Sequence, residues 1–256
     1  MMKLITGFFM AWGNFLTLPC PLKRWDNDLK NYMLGFLPSV GLIIGLIWAG
    51  VSLLLAVLPI PFLVTAFLLT MVPFVLSGFL HLDGFMDCCD AILSRRPLEE
   101  RQRILKDSHT GAFAVISVVF LLMGFHAFFS SALSISIDFV DLCLIPAVSR
   151  SASGLNVLLR QPMGSSQYAK GEGASDSKQK KNAACIILIQ LILYGAAGLL
   201  LASQPLYTLA VIAATFLGSL IAVFCGCRQL GGMNGDIAGF GIVWGELLGV
   251  LALAVI

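Results

Sequence analysis

Apolar stretches about as long as a membrane-spanning helix recur along the whole chain and are separated by short polar segments. A helix needs roughly 20 apolar residues to cross the hydrocarbon layer of a bilayer. Seven stretches have that length. The pattern therefore predicts spanning helices at residues 34–57, 62–82, 111–133, 142–159, 183–203, 206–227 and 237–255.

A shorter apolar stretch at residues 4–18 comes before these seven and either spans the membrane or lies in its interface. It lacks a small-residue cleavage site, so we interpret it as a retained membrane segment rather than a signal peptide. No internal repeat and no separate soluble segment is visible in the sequence. The predicted fold is therefore all-α, a polytopic integral membrane helical bundle with seven spans plus a short N-terminal membrane segment, forming one domain over residues 1–256.

The composition agrees with a membrane protein and narrows the partners. The chain is 58% hydrophobic and 12% charged, whereas a soluble domain carries about 25% charged residues. Its formal net charge is +2 and it has no dense basic block, which argues against nucleic acid as a partner. The lipid bilayer is the expected surrounding, and the sequence leaves a homo-oligomer open.

The basic residues predict which loops face the cytoplasm. Every Lys and Arg except Lys3 and Arg150 lies in alternate loops, and the loops between them contain none. Seven spans place these loops on one side of the membrane, and positive charge marks the cytoplasmic side. The predicted cytoplasmic loops are residues 19–33, 83–110, 160–182 and 228–236.

Most of the acidic residues lie at the same face, and three of them follow one apolar stretch in "HLDGFMDCCDA". Asp83, Asp87 and Asp90 are spaced i, i+4, i+7, which places them within an arc of roughly 60° on a helix. Carboxylates grouped in this way suit Mg²⁺ or Mn²⁺ bound together with substrate phosphates. The alternative is a solvated helix start, where the helix dipole favours acids; this explains Asp83 and at most Asp87, but not Asp90.

A second polar cluster, "KDSHTG", opens the next apolar stretch with Lys106, Asp107, Ser108 and His109. Asp107 or Ser108 could simply cap the helix that follows. The functional interpretation is a fourth carboxylate and a basic pair at the membrane level of the aspartates, where positive groups hold phosphate.

A third cluster, "GGMNGD", brings Asn234 and Asp236 to the start of the last apolar stretch. A glycine-rich turn before a helix presents backbone N–H groups to an anion; a plain glycine-rich loop is the alternative. Two charges lie deeper, Arg150 and Glu246, and an unpaired carboxylate at that depth costs roughly 2–4 kcal/mol. They either neutralise each other, or Arg150 contacts a substrate phosphate.

Acidic clusters at one membrane face, with basic residues beside them, favour metal-dependent transfer of a phosphoryl group. A transporter would place its ionisable residues near the midplane. The clusters together resemble cobalamin synthase, the adenosylcobinamide-GDP ribazoletransferase family. The resemblance covers nearly the whole chain and rests on "HLDGFMDCCDA", "KDSHTG" and "GGMNGDIAGFGIVWGEL", with "NFLTLPCP", "FLPSVGLIIG" and "AVSR" in support.

The resemblance implies a catalytic domain in the prokaryotic cytoplasmic (inner) membrane, with its active site on the cytoplasmic face. It implies Mg²⁺ as cofactor, and adenosylcobinamide-GDP and α-ribazole or its 5′-phosphate as substrates. The metal would be held by Asp83, Asp87 and Asp90, and the catalytic residues would be Asp83, Asp87, Asp107 and Asp236. The expected substrate-binding residues are His81, Lys106, Ser108, His109, Arg150, Asn234 and Glu246.

Two alternatives stay open. The first motif is also similar to the signature of CDP-alcohol phosphotransferases, although Asp83-Gly84 precedes the second aspartate here and no Arg follows Ala91. An ion-coupled transporter is the alternative from a different class. Solvent-accessible aspartates at the cytoplasmic face favour an enzyme, and a midplane cavity around Arg150 and Glu246 favours transport.

Overall fold

The computed structural model describes residues 2–135, 137–164 and 174–255. Within these ranges the chain is helical and forms no β-strand, apart from one isolated bridge between Pro162 and Met233. The predicted all-α fold is confirmed. The helices are α1 (Met2–Phe15), α2 (Lys30–Gly35), α3 (Leu37–Val57), α4 (Phe62–Leu76), α5 (Leu80–Leu93), α6 (Leu98–Ile104), α7 (Ala112–Ile135), α8 (Phe139–Leu159), α9 (Ala174–Leu201), α10 (Pro205–Leu230) and α11 (Gly235–Val255).

Six of these helices are long and apolar enough to cross a membrane, and each coincides with one of the predicted spans. Their apolar windows have mean hydropathies between 1.4 and 2.5. The chain is therefore a multi-pass membrane protein. The six helices are α3, α7, α8, α9, α10 and α11.

The remaining predicted span, residues 62–82, is interrupted. Helix α4 ends at Leu76, and α5 continues at an angle of 92° to it. The 15 residues of α4 are about 22 Å long, which is less than the roughly 30 Å of hydrocarbon in a bilayer. If α4 and α5 make one broken crossing, the chain has seven crossings and the four basic loops share one side.

The N-terminal segment forms α1, which has 14 residues and is shorter than a spanning helix. It packs against α2 and α3, and the indole of Trp12 donates a hydrogen bond to the Leu18 carbonyl at 3.2 Å. The segment after α1 therefore folds back onto α1. In the basic loop 160–182, residues 165–173 with Lys170 lie outside the described residues.

Helices α8 and α11 form the centre of the bundle. Their apolar windows are 89% and 72% buried, whereas those of the other spanning helices are 22–39% buried. The buried face of α8 carries Ser149, Ser151 and Ser153, and small residues let helices approach closely where lipid gives no hydrophobic drive for association. The deep polar residues thus lie on the two helices that touch lipid least.

Candidate active site

The three aspartates of the first motif lie on one helix, as predicted. Asp83 occupies the first turn of α5, and Asp87 and Asp90 follow in its later turns. Asp83 is exposed and the other two are half-buried, while Leu82, Phe85 and Cys89 on the remaining faces are buried. The apolar faces of α5 fix the helix in the bundle, so the acidic stripe faces outward.

A tight turn sets the direction of α5. Gly78 and Phe79 both adopt left-handed backbone conformations, with φ of 61° and 60°, which is unfavourable for a bulky residue such as Phe79. The Phe79 N–H donates to the Phe74 carbonyl at 2.8 Å, and the Thr17 N–H donates to the Leu76 carbonyl at 2.9 Å. The segment after α1 therefore holds the turn that redirects the chain from α4 into α5.

Helix α11 brings Asp236 next to the α5 stripe. A Cβ atom placed on Gly84 would lie 2.9 Å from the Cα and the carbonyl oxygen of Asp236, so only glycine allows the two helices to cross this closely. The charges of Asp83, Asp90 and Asp236 all act on Asp87. The structure thus joins the first and third sequence motifs, which are about 150 residues apart in the chain and meet through helix packing.

Asn234 has two contacts at the start of α11. Its side-chain oxygen accepts the Ile237 N–H at 2.9 Å, which caps the helix. Its side-chain nitrogen donates to Asp236 at 2.6 Å. One side chain therefore starts the helix and orients the aspartate. Both polar atoms of the Asn234 amide thus already have partners within the protein.

The glycine-rich loop before Asn234 is held from both sides. Gly231 ends α10 with φ of 82° and donates its N–H to the Cys227 carbonyl at 2.9 Å. Met233 exchanges backbone hydrogen bonds with the segment after α8, donating to Gln161 at 3.0 Å and accepting from Met163 at 2.9 Å. The loop is a fixed element of the site rather than a free linker.

The second motif lies beside the third aspartate of α5. A Cβ atom on Gly111 would overlap the Asp90 carboxylate, so the end of "KDSHTG" is in direct contact with the stripe. Asp107 does not cap α7, which begins at Ala112; it accepts the His109 N–H at 3.0 Å and contacts His109 Nδ1 at 2.7 Å. Lys106, Ser108 and His109 are exposed.

The environment of Asp107 favours its ionised form. The backbone and side-chain hydrogen bonds from His109 lower the pKa of Asp107 below its ordinary value, because they stabilise the charged carboxylate. Asp107 and His109 are both well exposed. The pair thus presents a carboxylate and an imidazole to solvent beside α5.

The deep charges form an ion pair. Arg150 of α8 donates to Glu246 of α11, and the two side chains are 1% and 2% exposed. Ser149 donates to the same carboxylate at 3.3 Å, and Arg150 also donates to the Pro146 carbonyl at 3.2 Å. The structure therefore shows the mutual neutralisation that the sequence analysis considered, with neither group open to solvent.

His81 is a buried residue of the first turn of α5. It is 6% exposed, its ring stacks on Phe15 with 6.2 Å between ring centroids, and the charge of Arg150 acts on it. In the described part of the chain its Nε2 atom has no hydrogen-bond partner. His81 is thus placed behind the stripe and not on its exposed face.

Sequence reasoning missed two residues that shape the site, Gly84 and Gly111. Each lies against a carboxylate-bearing residue, Asp236 and Asp90 respectively. An isolated glycine inside a helical pattern commonly marks close packing, so the Gly84 in "HLDGFMD" was a usable signal. No comparable signal connects Gly111 with Asp90, because that contact depends on how the loop folds back.

The carboxylates of the site fit Mg²⁺ only as part of a shared coordination shell. Among residues 2–135, 137–164 and 174–255, no three His, Cys, Asp or Glu side chains converge closely enough to hold a metal ion on their own. Mg²⁺, however, usually keeps several waters and binds through one or two carboxylates plus substrate phosphates. The hard oxygen donors of the stripe fit an ion that is shared with a phosphate-bearing substrate.

Comparison with known proteins identifies the family. The family model described as cobalamin-5-phosphate synthase matches residues 7–254. The chain belongs to this family. A relative from Clostridium perfringens named adenosylcobinamide-GDP ribazoletransferase is 37% identical over 249 residues, covering 96% of each chain. Relatives with the same name from Clostridium botulinum and Brevibacillus brevis are 34% and 31% identical, each covering at least 97% of both chains.

Family membership makes the chain an enzyme, a transferase of cobalamin biosynthesis. The resemblance found in the sequence motifs is confirmed. No solved structure matches the chain.

Proposed function

We propose that the chain transfers the phospho-cobinamide group of adenosylcobinamide-GDP to α-ribazole or its 5′-phosphate and releases GMP. Relatives that match the chain over nearly its full length are named for this reaction. The observation that carries the proposal is the acidic stripe of α5, which is partly exposed and joined by Asp236. Grouped carboxylates beside basic residues suit a reaction at a pyrophosphate.

The proposed reaction is one displacement at phosphorus. The ribazole hydroxyl oxygen attacks the phosphorus on the cobinamide side of the pyrophosphate and forms a new O–P bond. The P–O bond to GMP breaks, and GMP leaves with the electron pair. The hydroxyl proton passes to a carboxylate of the site and then to water. The protein positions the two substrates and balances charge, which supplies most of the catalysis in phosphoryl transfer.

Asp83, Asp87 and Asp90 are the proposed ligands of Mg²⁺. When bound, the ion would neutralise charge on the pyrophosphate and its leaving oxygen. Asp236 lies next to Asp87 and is oriented by Asn234, so we assign it to the same group of carboxylates. A general base works best with a pKa near the working pH; the lowered pKa of Asp107 suits a charged positioning group better than a base.

Phosphate contacts are proposed for the exposed residues of the second motif, Lys106, Ser108 and His109. Lys106 supplies positive charge, and the other two supply hydrogen-bond donors. Asn234 is proposed to act through Asp236. The buried residues His81, Arg150 and Glu246 are proposed to support α5 and α11 from behind the stripe.

The proposed location of the reaction is the cytoplasmic face of the inner membrane. The support is the charge distribution. The second motif lies in the basic loop 83–110, which also contains most of α5, and the third motif lies in the loop 228–236, whose one basic residue is Arg228. The site then faces the compartment from which water-soluble nucleotide substrates arrive. Transport is not favoured, since Arg150 and Glu246 close on each other as a buried pair.

The test is GMP release by the full-length protein in lipid nanodiscs, supplied with adenosylcobinamide-GDP, α-ribazole 5′-phosphate and Mg²⁺. We expect cobalamin 5′-phosphate and GMP in equal amounts. EDTA and Asp83→Asn should each abolish the signal, and excess Mg²⁺ should reverse the EDTA effect. The matched control is Asp176→Asn, which removes a carboxylate that pairs with Lys180 at the start of α9.

Two results would contradict the proposal. Folded protein that releases no GMP in several lipid compositions would exclude the reaction. Full activity in EDTA, or full activity of Asp83→Asn, would exclude the metal role of the stripe. Loss of activity in Asp176→Asn as well would show that the effect is not specific to α5.

A further inference from the structure

A cavity lies between α1 and the segment that follows it. Its volume is about 560 Å³, which is within the range of pockets for single small molecules, roughly 300–1,000 Å³. One wall is formed by α1, with Phe9, Met10 and Asn14. The other is formed by the segment after it, with residues 16–18, 20 and 22–25. The second wall includes Leu16, Thr17, Leu18 and Cys20 of the "NFLTLPCP" stretch. We call it the N-terminal cavity.

The lining of the N-terminal cavity combines two cations with an aromatic ring. Lys23, Arg24 and Trp25 lie next to one another on its rim, and the Trp25 side chain is exposed. The Trp25 indole N–H donates to the Asn27 side chain at 3.0 Å, which fixes the ring and leaves its faces open. An indole face stacks on planar bases, and adjacent cations bind phosphate.

The wall of this cavity is joined to the start of α5. Phe15, which directly precedes the wall, stacks on His81, two residues before Asp83. The Thr17 hydroxyl donates to the Val75 carbonyl at 3.2 Å, in addition to the backbone bond from Thr17 to Leu76. The wall of the cavity and the start of the acidic stripe therefore both contact the turn between α4 and α5.

We propose that the N-terminal cavity binds a nucleoside phosphate, with its base on Trp25 and its phosphate at Lys23 and Arg24. This inference rests on the proposed function, in which both substrates contain a nucleoside phosphate. Adenosylcobinamide-GDP contains a guanosine phosphate part, and α-ribazole 5′-phosphate is itself a nucleoside phosphate. Both have a planar base, a ribose and an anionic phosphate. The cavity holds one of them while the reacting phosphorus lies at the stripe.

The test is equilibrium binding of radiolabelled GMP and, separately, of radiolabelled α-ribazole 5′-phosphate to the full chain in nanodiscs. Neither mixture can turn over, because each lacks the second substrate. The variants are the double change Lys23→Gln with Arg24→Gln, and Trp25→Ala. We expect each to weaken binding of one of the two ligands by about tenfold or more. Trp25→Phe, which keeps a ring, should weaken binding less than Trp25→Ala does. Lys178→Gln, which removes an exposed charge on α9, should bind like the unchanged chain.

The outcomes separate the site from the reaction. Weakened binding of GMP assigns the cavity to the guanosine part of adenosylcobinamide-GDP. Weakened binding of α-ribazole 5′-phosphate assigns it to the acceptor. In either case the KM for the substrate assigned to the cavity should rise in the same variants. If binding weakens but the unchanged chain releases no GMP, the site stands and the reaction is wrong. Unchanged affinity for both ligands in both variants would overturn the site, whatever the turnover.

Discussion

The charged residues discussed above for the site fall into two environments. The α5 aspartates and the "KDSHTG" residues reach solvent, whereas Arg150 and Glu246 are closed off inside the bundle. A charge at the surface stays hydrated and is available to a ligand. A charge inside must be paired, because removing an ion from water costs several kcal/mol. The two groups therefore call for different mutational tests.

Removing one partner of the deep ion pair should destabilise the protein strongly. Arg150→Met or Glu246→Leu leaves the other charge buried and unpaired, which costs about 3–5 kcal/mol. The double variant, Arg150→Met with Glu246→Leu, should recover most of that loss. Thermal unfolding in nanodiscs measures all three. A double variant no more stable than the single variants would argue against simple charge neutralisation.

Removing the His109 ring should change the titration of Asp107. Since hydrogen bonds from His109 hold the pKa of Asp107 below its ordinary value, the stabilisation they bring is present above the ordinary Asp pKa of about 3.9. It is lost as the pH falls through the lower, folded-state pKa. In His109→Ala the pKa of Asp107 should rise toward the ordinary value, as followed by NMR of ¹³C-labelled aspartate. An unchanged pKa would show that the backbone bond alone is responsible.

At the scale of helices, the site depends on where α5 crosses α11. Gly84 of α5 lies against Asp236, and Gly239 of α11 lies against the backbone of His81, with a Cβ on Gly239 only 3.0 Å from the His81 carbonyl oxygen. Small residues on both sides allow the backbones to touch. This contact puts an aspartate of one helix among those of the other.

A methyl group at this crossing should reduce activity more than stability. Gly84→Ala forces α5 and α11 apart by several tenths of an ångström, because backbone atoms of Asp236 cannot move aside. A misplacement of about 1 Å can cost on the order of 100-fold in rate, so we expect kcat for GMP release to fall at least about tenfold. Gly50→Ala is the control, since a Cβ there meets nothing within 4 Å. Equal activity of both variants would show that the crossing tolerates separation.

At the scale of the whole molecule, the broken α4–α5 crossing decides the topology. If it crosses the membrane, all four basic loops lie on one side. If it re-enters the same side, the basic loop before α3 and the basic loops after α5 lie on opposite sides of the membrane. The alternation of basic and non-basic loops supports the crossing, because topology follows the positive charge of short loops.

Cysteine labelling of intact cells can decide this point. In a cysteine-free background we expect a membrane-impermeant maleimide to label Ser203→Cys, in the loop before α10, and not Glu99→Cys on α6. Both positions are exposed, and both should be labelled once the membrane is permeabilised. Labelling of Glu99→Cys in intact cells would place α6 outside and would contradict a cytoplasmic site.

The sequence by itself determined the helical class, six of the predicted spans and the acidic stripe of α5. These follow from local rules, since the length of an apolar run reflects bilayer thickness and the i, i+4, i+7 spacing reflects helix geometry. The family was indicated by motifs that follow one another along nearly the whole chain, and the match to the family model confirmed it.

Only the tertiary structure decided the 92° break after α4, the contact of Asp236 with the α5 stripe, the contact of Gly111 with Asp90, and the choice of Glu246 as the partner of Arg150. Hydropathy alone does not place the break, because Phe79, Leu80 and Leu82 continue the apolar stretch beyond the end of α4. The other contacts join segments that are distant in sequence, and what fixes them is the packing of small residues at helix crossings, which no local pattern records.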